Sequence, residues 1–321
     1  MQIYKITIRF LNYIGTPLHS DTIFGHFCWI YRYIYGQKRL KEDILKNYET
    51  SPNIIFSCGF PSGYLPRPVL APVSLKELEN LIKENLIKDE PFLKRLEILK
   101  EIKKIKFLSI KTLENLHKNL SEINIIKVLL KEEALPTIHQ FVMPHNSICR
   151  LSGRVQEFYH IDYIFYKSEN SYFDIDIYLK TTTIAEEKIR EVFKVLGSYG
   201  FGKDKNLGAG HFKLLNVEEF SFPQEGNAVM SLSYFVPDNG LKDGYYSLLT
   251  KFGKLGGHYA ITEIPFKNPL ILMEPGSVFK IETIKDYYGV AIKNIHAKMK
   301  IKHQTYLFPY FVRLLEEKHV S

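Results

Sequence analysis

Residues 2–10 alternate, with Ile3, Lys5, Thr7 and Arg9 on one side and Gln2, Tyr4, Ile6, Ile8 and Phe10 on the other, the period of a strand with one strongly apolar face. A loop through Gly15-Thr16-Pro17 follows. The period then becomes helical at Ile23, Phe27, Ile30 and Ile34, with Ser20 as N-cap, Asp21 in the first turn and Gly36 closing the helix. Residues 53–73 read as strand and turn, and Pro61, Pro66, Pro68 and Pro72 confine any strand there to a short or edge position. From 74 to about 133, leucine, isoleucine, lysine and glutamate recur at helical spacing with only Pro91 as a break, which predicts two or three amphipathic helices. Strand patterns return at 140–142, in a hairpin-like stretch over 155–166, and at 172–179. A helix over 186–196, carrying Ile189, Val192, Phe193 and Leu196, then leads to a strand over 212–217. With the helical segment set aside the order is β, α, β, β, α, β, which is ferredoxin-like.

Beyond a turn-rich linker at 222–227, the pattern predicts a strand at 229–236, a helix at 245–252, and strands at 259–264, 277–283, 289–291 and 295–301. The expected fold is therefore α+β with two ferredoxin-like domains. The first spans 1–222, with a long helical insertion at about 74–133, and the second, a degenerate copy, spans 223–321.

Composition narrows the class. A chain of 321 residues, 45% hydrophobic and 24% charged, is an ordinary globular protein long enough for two cores. No apolar run reaches bilayer length and the N-terminus has no leader pattern, so a cytoplasmic protein without a membrane partner is expected. Cys28, Cys58 and Cys149 are far apart and in no zinc spacing, so they read as reduced thiols, and no metal or cofactor is implied. Forty-three basic against 35 acidic residues leave a charge of +8, which suits a polyanionic partner. A lysine-rich composition also arises from growth at high temperature. The lysines of the insertion, such as Lys100 and Lys103 to Lys106, read as a solvated face or as an RNA track.

Candidate chemistry gathers at 197–212, where Gly197, Gly200, Gly202, Gly208 and Gly210 accompany Lys203, Lys205, Asn206 and His211. Gly202-Lys203 is followed by Asp204, which is not a P-loop, and the stretch follows a helix and opens a strand, the reverse of a dinucleotide fingerprint. Two readings remain: a turn-rich strand entry, or a loop whose free N–H groups and lysines cradle phosphate.

Gly200-Phe201-Gly202-Lys203, a short basic spacer and Gly208-Ala209-Gly210-His211-Phe212 after a helix resemble the glycine-rich loop of the RAMP superfamily of CRISPR proteins. The segments 18–25 (Leu-His-Ser-Asp-Thr-Ile-Phe-Gly), 64–68 (Tyr-Leu-Pro-Arg-Pro), 145–150 (His-Asn-Ser-Ile-Cys-Arg) and 304–310 (Gln-Thr-Tyr-Leu-Phe-Pro-Tyr) are similar to the fourth Csm subunit of type III-A effector complexes. The resemblance runs from end to end and departs at the insertion, onto which no role carries. It implies a non-catalytic subunit of an antiviral complex that holds the 5′ handle of the CRISPR RNA (crRNA). It also implies docking to the large polymerase-like subunit and contact with the backbone RAMP subunit.

For individual residues, two uses compete. His19, Ser20 and Asp21 at a helix start can hold phosphate or cap the helix. Arg67, fixed between prolines, can present a cation to RNA or form an ion pair. Arg150 and Arg154 flank Leu151-Ser152-Gly153, with His145, Tyr159 and His160 nearby, and offer phosphate and base contacts. Lys254, in the glycine-rich segment 252–258, is expected to follow a helix and to play the same part in the second half, or merely to lie in a turn. Tyr13, Tyr64 and Tyr199 are loop rings available for stacking.

The principal rival is a metal-independent RAMP endonuclease that processes precursor crRNA through His19, His26 or His211 as general acid or base; His26, beside Phe27 and Trp29, reads better as a core histidine. The backbone subunit that cuts target RNA lacks support because its Pro-Gly-Ser helix start is missing. A nucleotide-binding enzyme would need a Walker lysine or an acidic metal pair at a convincing spacing.

Overall fold

The computed structural model describes residues 1–84, 90–131, 136, 138–166 and 173–314. β1 (Gln2–Phe10) turns Ile6, Ile8 and Phe10 into the core, as the alternation requires. α1 (Ser20–Leu40) buries Ile23, Phe24, Phe27, Ile30 and Tyr31 along one stripe. Its backbone breaks at Gly36, which takes φ +85°, before continuing into a π turn at Lys41–Leu45.

β2 (Ile54–Pro61) and the short β3 (Tyr64–Pro66) follow. The insertion holds α2 (Leu75–Glu84), α3 (Phe92–Lys104), β4 (Phe107–Ser109), α4 (Ile110–Leu116) and α5 (Glu122–Leu129), with β4 pairing antiparallel to β3. Four helices thus stand among its described residues where two or three were expected. Serine starts three of them: Ser74 and Glu77 exchange bonds as a capping box, and Ser109 and Ser121 cap α4 and α5. The expected insertion end at 132–133 lies outside the described residues.

β5 (His139–Ile148) and β6 (Val155–Phe165) form a long hairpin. β7 (Ile175–Thr181), α6 (Glu186–Tyr199) and β8 (Phe212–Phe220) complete the first half. Tyr172, the first residue of the strand expected over 172–179, lies outside the described residues. The sheet order is β2-β7-β1-β8, with every pairing antiparallel.

The second half holds β9 (Ala228–Ser231), β10 (Leu241–Tyr245), β11 (Leu248–Lys251), β12 (Leu270–Met273), β13 (Val278–Ile281) and β14 (Pro309–Val312). Its main sheet runs β10-β13-β9-β14, again antiparallel. Counted within each half, both sheets have the order second, third, first, fourth.

The helix expected at 245–252 is corrected to two strands, β10 ending at Tyr245 and β11 beginning at Leu248. Exposed and half-buried residues alternate along Leu248 to Lys251, a period of two that Tyr245-Tyr246 had blurred. Residues 259–261 belong to a 3₁₀ turn (Gly257–Ile261) rather than a strand, and neither 289–291 nor 295–301 forms one. β12 and β14 escaped the reading because four-residue apolar runs carry little periodicity.

One continuous core crosses the division at 222, joining Phe56 and Cys58 to Met230, Leu232 and Tyr306. The free edge of β2 is covered by the second half. Cys58 N–H donates to Leu232 O at 2.8 Å, and the Gln304 amide accepts from Phe56 N–H at 2.9 Å while donating to Phe56 O at 2.6 Å. Among the described residues no helix is long and apolar enough to cross a membrane.

Candidate nucleic-acid interface

Glycine at 197–212 is required by close approach and by backbone shape. Gly200, Gly202, Gly208 and Gly210 all have positive φ, between +73° and +93°. A Cβ on Gly210 would land on the Phe201 carbonyl oxygen, and one on Gly202 on the Thr16 side chain.

The expected ring of free N–H groups is not found. Gly200 donates to Leu196 O, Gly202 to His26 Nε2 at 3.2 Å, Lys203 to Thr16 Oγ1 at 3.0 Å, Gly208 to Lys205 O and Gly210 to Tyr13 O. The stretch is a self-bonded knot against the β1–α1 loop, and these five amides are not available to phosphate. His211 Nε2 lies 2.9 Å from Lys205 O. Outward-facing groups remain, chiefly Lys203, Asn206 and Leu207.

The knot anchors the β5–β6 hairpin. Tyr163 OH donates to Asp204 Oδ2 at 2.9 Å and lies 3.3 Å from His145 Nε2, while His145 stacks on Tyr159 at 5.5 Å and 15°. Burial and then the Asp204 bond push the Tyr163 hydroxyl up to about 12, so it stays protonated as the donor. Tyr13 and Phe141 pack edge to face or stacked around the same ring. Beyond this base the hairpin projects with Phe158 at 78% and Leu151 at 99% exposure, and Arg150 and Arg154 stand at its tip without a carboxylate partner among the described residues. Sequence neighbours far apart, His145, Arg150 and Arg154 against Lys203 and Asn206, thus belong to one connected structure. Tyr159, which carries the stacking on His145, was named in the sequence only as a neighbour.

Other candidates are committed elsewhere. His19, not Ser20, is the N-cap of α1. Ser20 is fully buried and its Oγ accepts from Tyr234 N–H at 3.0 Å, binding the helix start to the second half. Asp21 is buried against Lys251 Nζ at 2.6 Å, with His303 Nε2 3.2 Å from its other oxygen. Burial alone would raise the Asp21 carboxyl, but His303 and the Lys251 charge outweigh it and hold it far below the usual carboxylate range. Ser20 and Asp21 are therefore corrected from RNA contacts to ties between the halves. His19 Nδ1 lies 3.2 Å from Lys251 Nζ and its ring rests on Tyr234; burial, then the Lys251 charge, lowers it to about 4.

Arg67 is corrected likewise: its guanidinium is paired with Glu122 at 2.5 Å and bonded to the Ile102 carbonyl, which clamps the insertion to the body. His19 and Arg67 both border a cleft of about 1170 Å³ between the insertion and the two halves, with Lys103, Lys104, Gln140 and Tyr166 also on its wall.

Lys254 is exposed over the Phe266 ring at 5.8 Å, after a strand rather than a helix, and nothing brings it near the glycine knot. Tyr199 lies in the last turn of α6, not in a loop.

These features define an α+β protein of two like-ordered antiparallel sheets, with a basic, aromatic hairpin rooted in a glycine knot. The sequence matches no family model and no curated protein. Solved structures do match. A chain of the Csm1–Csm4 cassette in complex with cA4 is 16% identical and superposes with a TM-score of 0.57 over 98% of this chain and 100% of that one. A chain of the same cassette with pppApA is 17% identical, TM-score 0.55, over 98% and 99%. One from the Csm3–Csm4 subcomplex of the type III-A CRISPR-Cas interference complex is 16% identical, TM-score 0.54, over 97% and 99%. This chain therefore shares its fold, end to end, with chains of these type III-A assemblies.

Proposed function

We propose that the protein is a non-catalytic subunit of a type III-A Csm effector complex, acting in antiviral defence in the cytoplasm. It holds the 5′ handle of crRNA and docks both the large polymerase-like subunit and the backbone RAMP subunit. The observation that carries this is a fold shared with cassette and subcomplex chains along 97–98% of its length. We read the two like-ordered sheets as two ferredoxin-like domains, 1–222 and 223–321, the second having replaced its helices by β11, β12 and turns.

Handle binding falls on the hairpin and the outer side of the glycine knot, where Arg150, Arg154, Lys203, Asn206, His145 and Tyr159 offer cations, an amide and rings. His19 borders the adjoining cleft. The non-catalytic reading is supported by the state of the imidazoles. The ring nitrogens are already engaged: His19 Nδ1 by Lys251 Nζ at 3.2 Å, His26 Nε2 by the Gly202 N–H at 3.2 Å, and His211 Nε2 lies 2.9 Å from the Lys205 carbonyl.

Purification from the native host tests the assignment. Guide RNA with a common 5′ end and the polymerase-like subunit are expected to accompany the chain, and their absence overturns it. With R150E/R154E/K203E, affinity for handle RNA is expected to fall and the log–log salt slope to flatten by about 2, at roughly 0.7 per lost phosphate contact. Repeat RNA incubated without metal is expected to stay intact; cleavage that disappears in H19A or H211A would establish the endonuclease instead.

A further inference from the structure

The antiparallel ribbon of β11 and β12 runs on past its named strands. Lys254 pairs with Phe266, Leu255 N–H donates to Pro265 O at 2.7 Å and Lys267 N–H to Gly253 O at 2.8 Å. Along 248–255 exposed and covered residues alternate without a break, so one face is turned out and the other in. A ribbon with one wet face ordinarily keeps apolar side chains inside and polar ones outside. Here two lysines point inward, Lys251 to Asp21 at 2.6 Å and Lys267 to within 3.1 Å of His303 Nδ1. The outer face carries Leu248, Phe252, Phe266 and Ile271, each between 56% and 75% exposed.

That face is held outward from below. Leu270 and Leu272 fill the core beneath it, and Lys251 bonds Thr22 Oγ1 at 3.0 Å as well as Asp21. Past the ribbon, Gly256 and Gly257 close on the indole, where a Cβ on either would stand 2.7 Å from Trp29. The one outward charge is Lys254, over the Phe266 ring at 5.8 Å and without a carboxylate partner among the described residues. Neither 248–255 nor 265–273 contains an acidic residue.

We propose that the outward face of this ribbon seats the large polymerase-like subunit, receiving an apolar protein surface that sets a carboxylate against Lys254. Four exposed apolar side chains, two of them aliphatic, form a patch of the kind that is covered in an assembly. RNA is held by a cation at each phosphate, and a lipid surface attracts clusters of lysine and arginine, so one cation suits neither. It suits a protein interface, whose centre is apolar and poor in charge. A second copy of this chain seated face to face offers Lys254 no carboxylate, because the ribbon has none. The backbone RAMP subunit shares the guide RNA with this chain and so adjoins the RNA-holding hairpin, whereas β11 and β12 pair only within the second half. The proposal rests on the docking reading given above and adds its place and its chemistry.

The full chain, tagged, is co-expressed with the polymerase-like subunit and, separately, with the backbone subunit, and the retention of each is measured. The unaltered chain is expected to retain both. Phe252→Glu/Ile271→Glu is expected to lose the polymerase-like subunit by about tenfold or more, while keeping the backbone subunit, the affinity for handle RNA and the melting temperature. Phe252→Leu/Ile271→Val is expected to behave as the unaltered chain. Lys254→Glu, which leaves the apolar positions in place, is expected to weaken retention most at low salt. Full retention by both the double glutamate variant and Lys254→Glu overturns the location and leaves the docking reading standing. An unaltered chain that does not retain the polymerase-like subunit overturns both. A double variant that loses the backbone subunit or handle RNA instead, or that turns a self-associating chain into a monomer on sedimentation, gives the face to that partner and overturns the proposal.

Discussion

His19 and His26 show how burial turns sequence candidates into structural parts. Each accepts a bond from a neighbour, Lys251 or the Gly202 N–H, and each is lowered to about 4 from the ordinary 6.5. Between pH 6.5 and 4 the unfolded chain therefore binds more protons than the folded one, so stability is complete above about pH 6.5 and is lost as pH falls towards 4. The expected loss is on the order of 2–3 kcal/mol per ring. Urea midpoints across this range should show it, and H19N and H26Q, which keep an acceptor in place of Nδ1 or Nε2, should flatten the slope. Asp21 acts lower on the scale: its depressed carboxyl stabilises above the unfolded value near 4 and is lost only below it. Residue types in the sequence marked these positions as chemically charged. Which charge meets which could not be read there, because Lys251 and His303 are more than two hundred residues away from Asp21.

At the scale of elements, the glycine stretch divides into positions that fold it and positions that merely turn it. Gly210 combines φ +73° with backbone pressed against Phe201, whereas Gly208 has φ +93° and open space around its Cα. Alanine at 208 is expected to cost only the left-handed penalty, ~1–2 kcal/mol. Alanine at 210 must also move Phe201 and is expected to cost more than ~3 kcal/mol, releasing the root of the hairpin. Chemical denaturation of the two variants decides this, and equal costs would contradict the role assigned to the knot. In the first half β1, α1 and α6 were the most legible, because a nine-residue strand and two long amphipathic helices carry many repeats of their period. The second half was not, since strands of four or five residues are shorter than the pattern needed to tell period 2 from 3.6.

The whole molecule behaves as one packed body despite its two sheets. Gln304 illustrates the coupling: it completes the edge of β2 by taking both bonds of Phe56, as a neighbouring strand would. Gln304→Leu leaves a buried N–H and C=O without partners and is expected to cost ~2–4 kcal/mol, read as a fall in melting temperature. Because the core runs through residue 222, fragment 1–222 expressed alone is expected to lack a cooperative unfolding transition, while the full chain unfolds in one step. A fragment that melts cooperatively would mean that the first sheet is self-sufficient.

The sequence by itself determined the α+β class, the first unit's order of elements, the helical character of the insertion and the excess of positive charge, since each is a local or additive property. Only the tertiary structure decided that Ser20, Asp21 and Arg67 are held inside, that the glycine amides are already bonded to Leu196, His26, Lys205 and Tyr13, and that Tyr33 and Tyr199 meet across two helices. Those outcomes depend on which distant groups compete for the same hydrogen bond or the same surface, and periodicity along a chain carries no information about that competition.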